Sequence, residues 1–145
     1  KAFLGAPLRA VFGVSKRGAA LDEAVQLLEF LQLADKADLS ASSLSYGDAR
    51  RLEIARALAG HPSLLLLDEP AAGMNDAETE QLVLDIQKVR SSVKAIVLIE
   101  HDMSLIRSLS DRIVAMDYGK KIAQGDVQSV LEHPEVRRAY LGDVA

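Results

Sequence analysis

Apolar positions along this chain change their period several times, and each change marks an element. Leu21, Ala24, Val25, Leu28 and Leu31 recur at the spacing of one helical face, which predicts a helix over 21–33. Asp22 and Glu23 fall in its first turn, where the helix dipole favours negative charge. SASSLS (40–45) breaks the pattern. Ser45 suits an N-cap and Asp48 stands three residues on, close to a capping box. A second helix is therefore expected from Ser45 to Gly60, with Pro62 beyond it as a stop signal. Leu64–Leu67 is too short for a helix and predicts a buried strand. Helical spacing returns over 76–90, with Leu82, Ile86 and Val89 on one side. AIVLIE (95–100) predicts a second strand, Met103–Leu109 a short helix and RIVAMD (112–117) a third strand. Tyr118-Gly119 turns the chain into a fourth strand, KIAQG, and Pro134 parts two short C-terminal helices. Residues 1–20 show no clean period and read as irregular or as a short helix.

Strands that alternate with helices and are apolar throughout predict an α/β fold. Its core is a mainly parallel sheet covered by flanking helices. No strand candidate precedes residue 45, so an N-terminal helical subdomain is expected over 1–60. A sheet-bearing core follows over 61–125 and a helical extension over 126–145.

Composition narrows the function. Net charge is −4 in 145 residues, which argues against a nucleic-acid partner. There is no cysteine, so a disulfide scaffold, a thiol nucleophile and a cysteine zinc site are excluded. No apolar run approaches the ~18 residues that read as a membrane-spanning helix. The first residue is Lys1 rather than methionine, and the expectation is a processed chain or a piece of a longer one.

The chemistry concentrates where apolar runs stop. LLLLDEP (64–70) delivers Asp68 and Glu69 at the end of a predicted strand. Such an end is either a solvated terminus or a metal-dependent phosphate site, since ligands of open α/β sheets bind at the carboxyl ends of strands. Glu100-His101 follows the second strand in the same way, and a parallel sheet would bring both ends to one edge. LSYGD (44–48) sets Ser45 and Gly47 at a helix start, where free backbone N–H groups and the dipole attract anions. A Ser/His/acid hydrolase is rejected because Ser45 lies in no G-x-S-x-G elbow. Arg50, Arg51 and Arg56 read as a solvated, ion-paired helix face with Glu53 nearby. His61 and His133 each precede proline and read as surface residues.

LSYGDARRLEIARAL, LLLLDEPAAGMND and IVLIEHDM, in that order, resemble the nucleotide-binding subunit of ABC transporters. LSYGD is similar to the family's signature motif, LLLLDE to its Walker B strand, AAGMN to its D-loop and His101 to its switch histidine. The forms LSYGD and DEPAAGMN, with HPEVRRAYLGD near the end, most resemble the subgroup serving branched-chain amino acid importers. Three positions depart from the common pattern. Tyr46 stands for a glycine, Asp48 for a glutamine, and Asn75 where many relatives have aspartate. A carboxylate at position 48 must be paired or directed into capping if a phosphate is to come near.

The resemblance implies a P-loop NTPase-like ATPase using ATP and Mg²⁺. Asp68 would hold the metal through water, and Glu69 would orient or deprotonate the attacking water. His101 would touch the γ-phosphate. Ser45 and Gly47 would bind ATP held by a second nucleotide-binding subunit, with Asn75 at the dimer seam. The implied partners are that subunit, transmembrane permease subunits and, indirectly, an external solute-binding protein. The implied location is the cytoplasmic face of the cell membrane. Rival readings are a non-catalytic interaction piece and a non-transport ATPase of the same class.

Nothing in the chain matches G-x-x-x-x-G-K-[ST], the loop that cradles β- and γ-phosphates. The family's Q-loop glutamine and adenine-stacking aromatic are also expected upstream of Lys1. A neighbouring strand of the sheet would be missing with them, which would leave unpaired edges and bare apolar faces prone to association. The purified chain is therefore expected to bind ATP poorly and to show no magnesium-dependent ATPase rate above a Glu69→Gln control, as measured by phosphate release.

Overall fold

The computed structural model describes residues 18–141. Most of the expectation for residues 1–20 thus lies outside the described residues. The rest divides into two compact units that part between Val97 and Leu98.

In the first unit, helix α1 (Ala19–Phe30) buries Ala24 and Leu28. Its C-terminus closes by a Schellman arrangement, in which the Leu33 N–H reaches the Leu28 carbonyl at 2.7 Å and the Gln32 N–H the Glu29 carbonyl at 3.0 Å. Gln32 takes the left-handed conformation at φ 56 that this ending requires. Leu28 and Leu33 then meet Leu52 in a core that Ala37, Ala41 and Leu44 flank. Leu21, expected on the buried stripe, is instead 40% exposed because the helix begins only at Ala19 and its first turn stays in solvent. Short 3₁₀ turns at Ala34–Lys36 and Ala41–Ser43 lead into α2 (Tyr46–Leu58). After α2 the chain takes a positive φ at His61 (φ 47), one residue beyond Gly60.

Strand β1 (Leu64–Asp68) and strand β2 (Ala95–Ile99) form a two-stranded parallel sheet, and helix α3 (Asp76–Val89) lies between them in sequence. The Ser63 carbonyl accepts the N–H groups of Lys94 and Ala95 at 3.0 and 3.3 Å, which aligns the starts of the two strands. Leu65 and Leu67 are buried, but Leu64 and Leu66 remain 49% and 67% exposed. β1 is thus covered on one face only, although its composition predicted cover on both.

The helices are joined by a charge network around Arg51. This arginine does not join the solvated helix face expected of it. It turns inward, donating to Asp48 at 2.6 Å and to the Leu31 carbonyl at 3.1 Å, with its Nε 3.8 Å from Asp85. Lys36 closes on the other Asp48 oxygen at 2.6 Å. Asp85 is fully buried on α3, where Gln81 donates to it at 3.2 Å and Lys88 stands 3.6 Å away. Burial pushes the Asp85 carboxyl above its usual range, against Gln81, Arg51 and Lys88. Burial also pushes Asp48 upward, but hydrogen bonds from Lys36 and Ser45 and the charges of Lys36 and Arg51 outweigh it and hold this carboxyl low. Arg50, by contrast, does pair on the surface with Glu53, at 2.8 Å.

In the second unit, helix α4 (Met103–Leu109) precedes a hairpin of β3 (Ile113–Asp117) and β4 (Lys120–Gly125). Tyr118 and Gly119 carry φ of 44 and 75, the two positive values of a type I′ turn, so the strands return antiparallel with Asp117 opposite Lys120. A bulge shifts the register between Ala115 and Met116. Helices α5 (Val127–Leu131) and α6 (Pro134–Leu141) close over the hairpin, Val130 and Val136 packing with Ala115. The Tyr140 hydroxyl donates to the Met116 carbonyl. His133, expected on the surface, is half-buried in this packing.

Two stability tests follow. Asp48 sits below its unfolded value of about 3.9, so its stabilisation is complete above that pH and is lost as pH falls through the folded value. Asp48→Asn should cost about 2–4 kcal/mol near neutrality, by exchange protection of α2 amides, and the deficit should shrink below about pH 4. Leu65→Ala should cost about 2–3 kcal/mol in the same measurement, against less than about 0.5 for Leu66→Ala.

Candidate functional site

β1 ends at Asp68, and the chain then makes two consecutive turns. The Glu69 carbonyl accepts the Ala72 N–H at 3.1 Å and the Ala71 carbonyl accepts the Met74 N–H at 3.0 Å. Glu69 is held at φ 42, a left-handed conformation that costs a non-glycine residue about 1 kcal/mol. Gly73, at φ 80, takes the same region at no such cost. Pro70 is buried inside this bend, while Asp68 and Glu69 face outward and exposed. The bend delivers Asn75 as the N-cap of α3, where its Oδ1 accepts the Glu78 N–H at 3.0 Å.

Ser45 is the N-cap of α2, and its Oγ accepts the Asp48 N–H at 3.1 Å. The reciprocal half of the expected capping box is absent, since the Asp48 carboxylate is spent on Lys36 and Arg51. This settles the charge at position 48: it is neutralised by two cations, and a side-chain hydrogen bond with Ser45 adds to their effect. Gly47 is buried, and its N–H already meets an anion, donating to Glu78 Oε1 at 3.3 Å. The other Glu78 oxygen accepts the Asn75 N–H at 3.1 Å. Gly47 and Asn75 are thus brought together through Glu78, with Ser45 two residues before Gly47 on the same helix start. The local signal for this residue is the capping-box spacing of Asn75 followed three positions later by Glu78.

His101 belongs to the second unit. It is exposed, and its N–H donates to Glu100 Oε2 at 3.3 Å. Asp102 beside it caps α4, accepting from the Ser104 and Leu105 N–H groups at 2.7 and 3.3 Å and from Ser104 Oγ at 2.6 Å. The side-chain and backbone bonds of Ser104 hold the Asp102 carboxyl below its usual range. That anchor sets the backbone on which His101 stands.

Among the described residues no cluster of three or more histidine, aspartate and glutamate side chains could hold a metal by itself. A lone exposed Asp68 at a strand end suits magnesium, which retains several waters and takes one or two carboxylates together with substrate phosphates. No helix among the described residues is long and apolar enough to cross a membrane.

Comparison with known proteins agrees with these features. A family model described as ABC transporter matches residues 8–72, and one described as branched-chain amino acid ATP-binding cassette transporter matches residues 120–145. The high-affinity branched-chain amino acid transport ATP-binding protein LivG of Escherichia coli K12 is 46% identical over 125 residues, covering 86% of this chain and 49% of LivG. BraF of Pseudomonas aeruginosa, of the same description, is 45% identical over 125 residues. The chain therefore spans about half the length of the curated relatives it matches. The ADP conformation of MJ1267, an ATP-binding cassette of an ABC transporter, superposes with a TM-score of 0.81 at 28% identity, covering 95% of this chain and 57% of that one. An inward-facing metal-chelate type ABC transporter, at 21% identity and a TM-score of 0.82, shares the fold. By sequence and by fold, this chain belongs to the ATP-binding proteins of the ABC transporter family.

Proposed function

We propose that this chain supplies the Walker B, D-loop, switch and signature elements of an ATPase that energises an importer of branched-chain or related amino acids. The observation that carries the proposal is the end of β1. Two adjacent carboxylates stand exposed there, and the backbone of the second is held in a left-handed conformation by a pair of turns. Strain of this kind is retained where surrounding structure fixes a reactive group. Asp68 would take Mg²⁺ through water, and the metal would neutralise charge on the β- and γ-phosphates. Glu69 would orient the attacking water or accept its proton. His101, on the backbone anchored by Asp102, would contact the γ-phosphate. Ser45 and Gly47 would face ATP bound by a second nucleotide-binding subunit, with Asn75 at that seam.

The partners in this reading are the second ATP-binding subunit, permease subunits in the membrane and an external solute-binding protein, with the chain on the cytoplasmic face. The names of LivG and BraF support the amino-acid class. Functionally, residues 1–60 would carry the signature helix, 61–125 the hydrolytic carboxylates and histidine, and 126–145 an extension matched by the branched-chain family model.

A chimera in which this chain replaces the matching segment of LivG tests the reading. It should hydrolyse ATP in a magnesium-dependent manner, and Glu69→Gln should lower kcat at least ~100-fold with ATP binding retained. An active chimera indifferent to Glu69→Gln, or a folded chimera with no ATPase, overturns the proposal.

A further inference from the structure

We propose that Glu78 is a positioning residue that ties the LSYGD segment to the AAGMN loop, so that Gly47 and Asn75 move as one body. The functional consequence rests on the ATPase reading above; the tether itself does not.

An N3 glutamate needs only one oxygen to complete a capping box. Glu78 uses Oε2 for that, on the Asn75 N–H at 3.1 Å, and sends Oε1 across to the Gly47 N–H at 3.3 Å, 31 residues away in sequence. Two donors from two segments therefore share one carboxylate. The position is shaped for it: a Cβ on Gly47 would lie 3.0 Å from Glu78 Oε1 and 3.1 Å from its Cγ. Glycine at position 47 is what admits the carboxylate.

A second contact joins the same two segments independently. The ring of Tyr46 lies over Gly73, where a Cβ would come within 3.5 Å of Cε1 and 3.6 Å of Cζ. Arg50, one turn on, holds that ring by a hydrogen bond to its hydroxyl at 2.9 Å and stands 5.2 Å from the ring centre. One polar and one aromatic contact thus fasten the start of α2 to the turn before α3. Glutamine cannot replace the carboxylate, because one of its two polar ends is an NH₂ that would confront an N–H donor.

In the proposed ATPase, Ser45 and Gly47 face one nucleotide and Asn75 lies at the subunit seam. A rigid tie makes a displacement of either segment a displacement of both.

The test uses the ¹⁵N-labelled 145-residue chain without nucleotide. Hydrogen exchange at the Gly47 and Asn75 amides should be slow, and Glu78→Ala, which removes the shared acceptor, should speed both by at least ~10-fold. Gly47→Ala, which pushes Oε1 away and leaves the glutamate in place, should speed exchange at position 47 and leave Asn75 slow. Protection of either amide that survives Glu78→Ala overturns the tether. In the LivG chimera, Glu78→Gln should lower kcat at least ~10-fold with KM for ATP changed less than ~3-fold. An unchanged kcat overturns the positioning role. A chimera without ATPase refutes the proposed function instead, while amide exchange still decides the tether.

Discussion

Arg51 is the side chain on which the geometry of the first unit depends. A guanidinium presents five N–H donors in a rigid fork, and here the fork donates to the carbonyl of Leu31 and the carboxylate of Asp48 while its Nε faces the buried Asp85 at 3.8 Å. Its partners come from the end of α1, the start of α2 and the middle of α3. Hydrophobic burial alone leaves helices free to slide by fractions of a turn, whereas a partly buried ion network has few satisfactory arrangements. The network thereby fixes where the first turn of α2 stands relative to α3, and with it the candidate nucleotide-facing backbone.

That placement explains how Asp48 is accommodated near a proposed phosphate site. Its charge is matched by Lys36 and Arg51, each at 2.6 Å, and the carboxylate points into the helical packing. The anion-attracting start of α2 is instead met by Glu78, an internal carboxylate delivered from another helix. Both acids lie beside the same turn, yet one braces the helix pair while the other bridges two loops.

Much of the fold was legible in the chain. The helices at 46–58, 76–89 and 103–109 and the four strands lie within a residue or two of their expected bounds, because apolar periodicity and caps act over a single turn. The Tyr118-Gly119 hairpin was equally local. Arg51 was misread for the opposite reason. Its neighbours along α2 announce a charged surface, and only the Leu31 carbonyl at the end of α1 and Asp85 on α3 turn it inward. Leu64 and Leu66 were misjudged similarly, since composition states that a strand is apolar and not which face is covered.

The sequence by itself determined the order of elements, the carboxylates at the end of β1, the capped start at Ser45 and the family those motifs denote, since each is written within a few adjacent residues. Tertiary structure alone decided that Glu69 stands at φ 42, that Asp48 is paired, and that Gly47 meets Glu78 rather than open solvent. Those outcomes join groups up to 31 residues apart. No local pattern carries such a distance; only packing, which satisfies buried charge and backbone donors together, could set it.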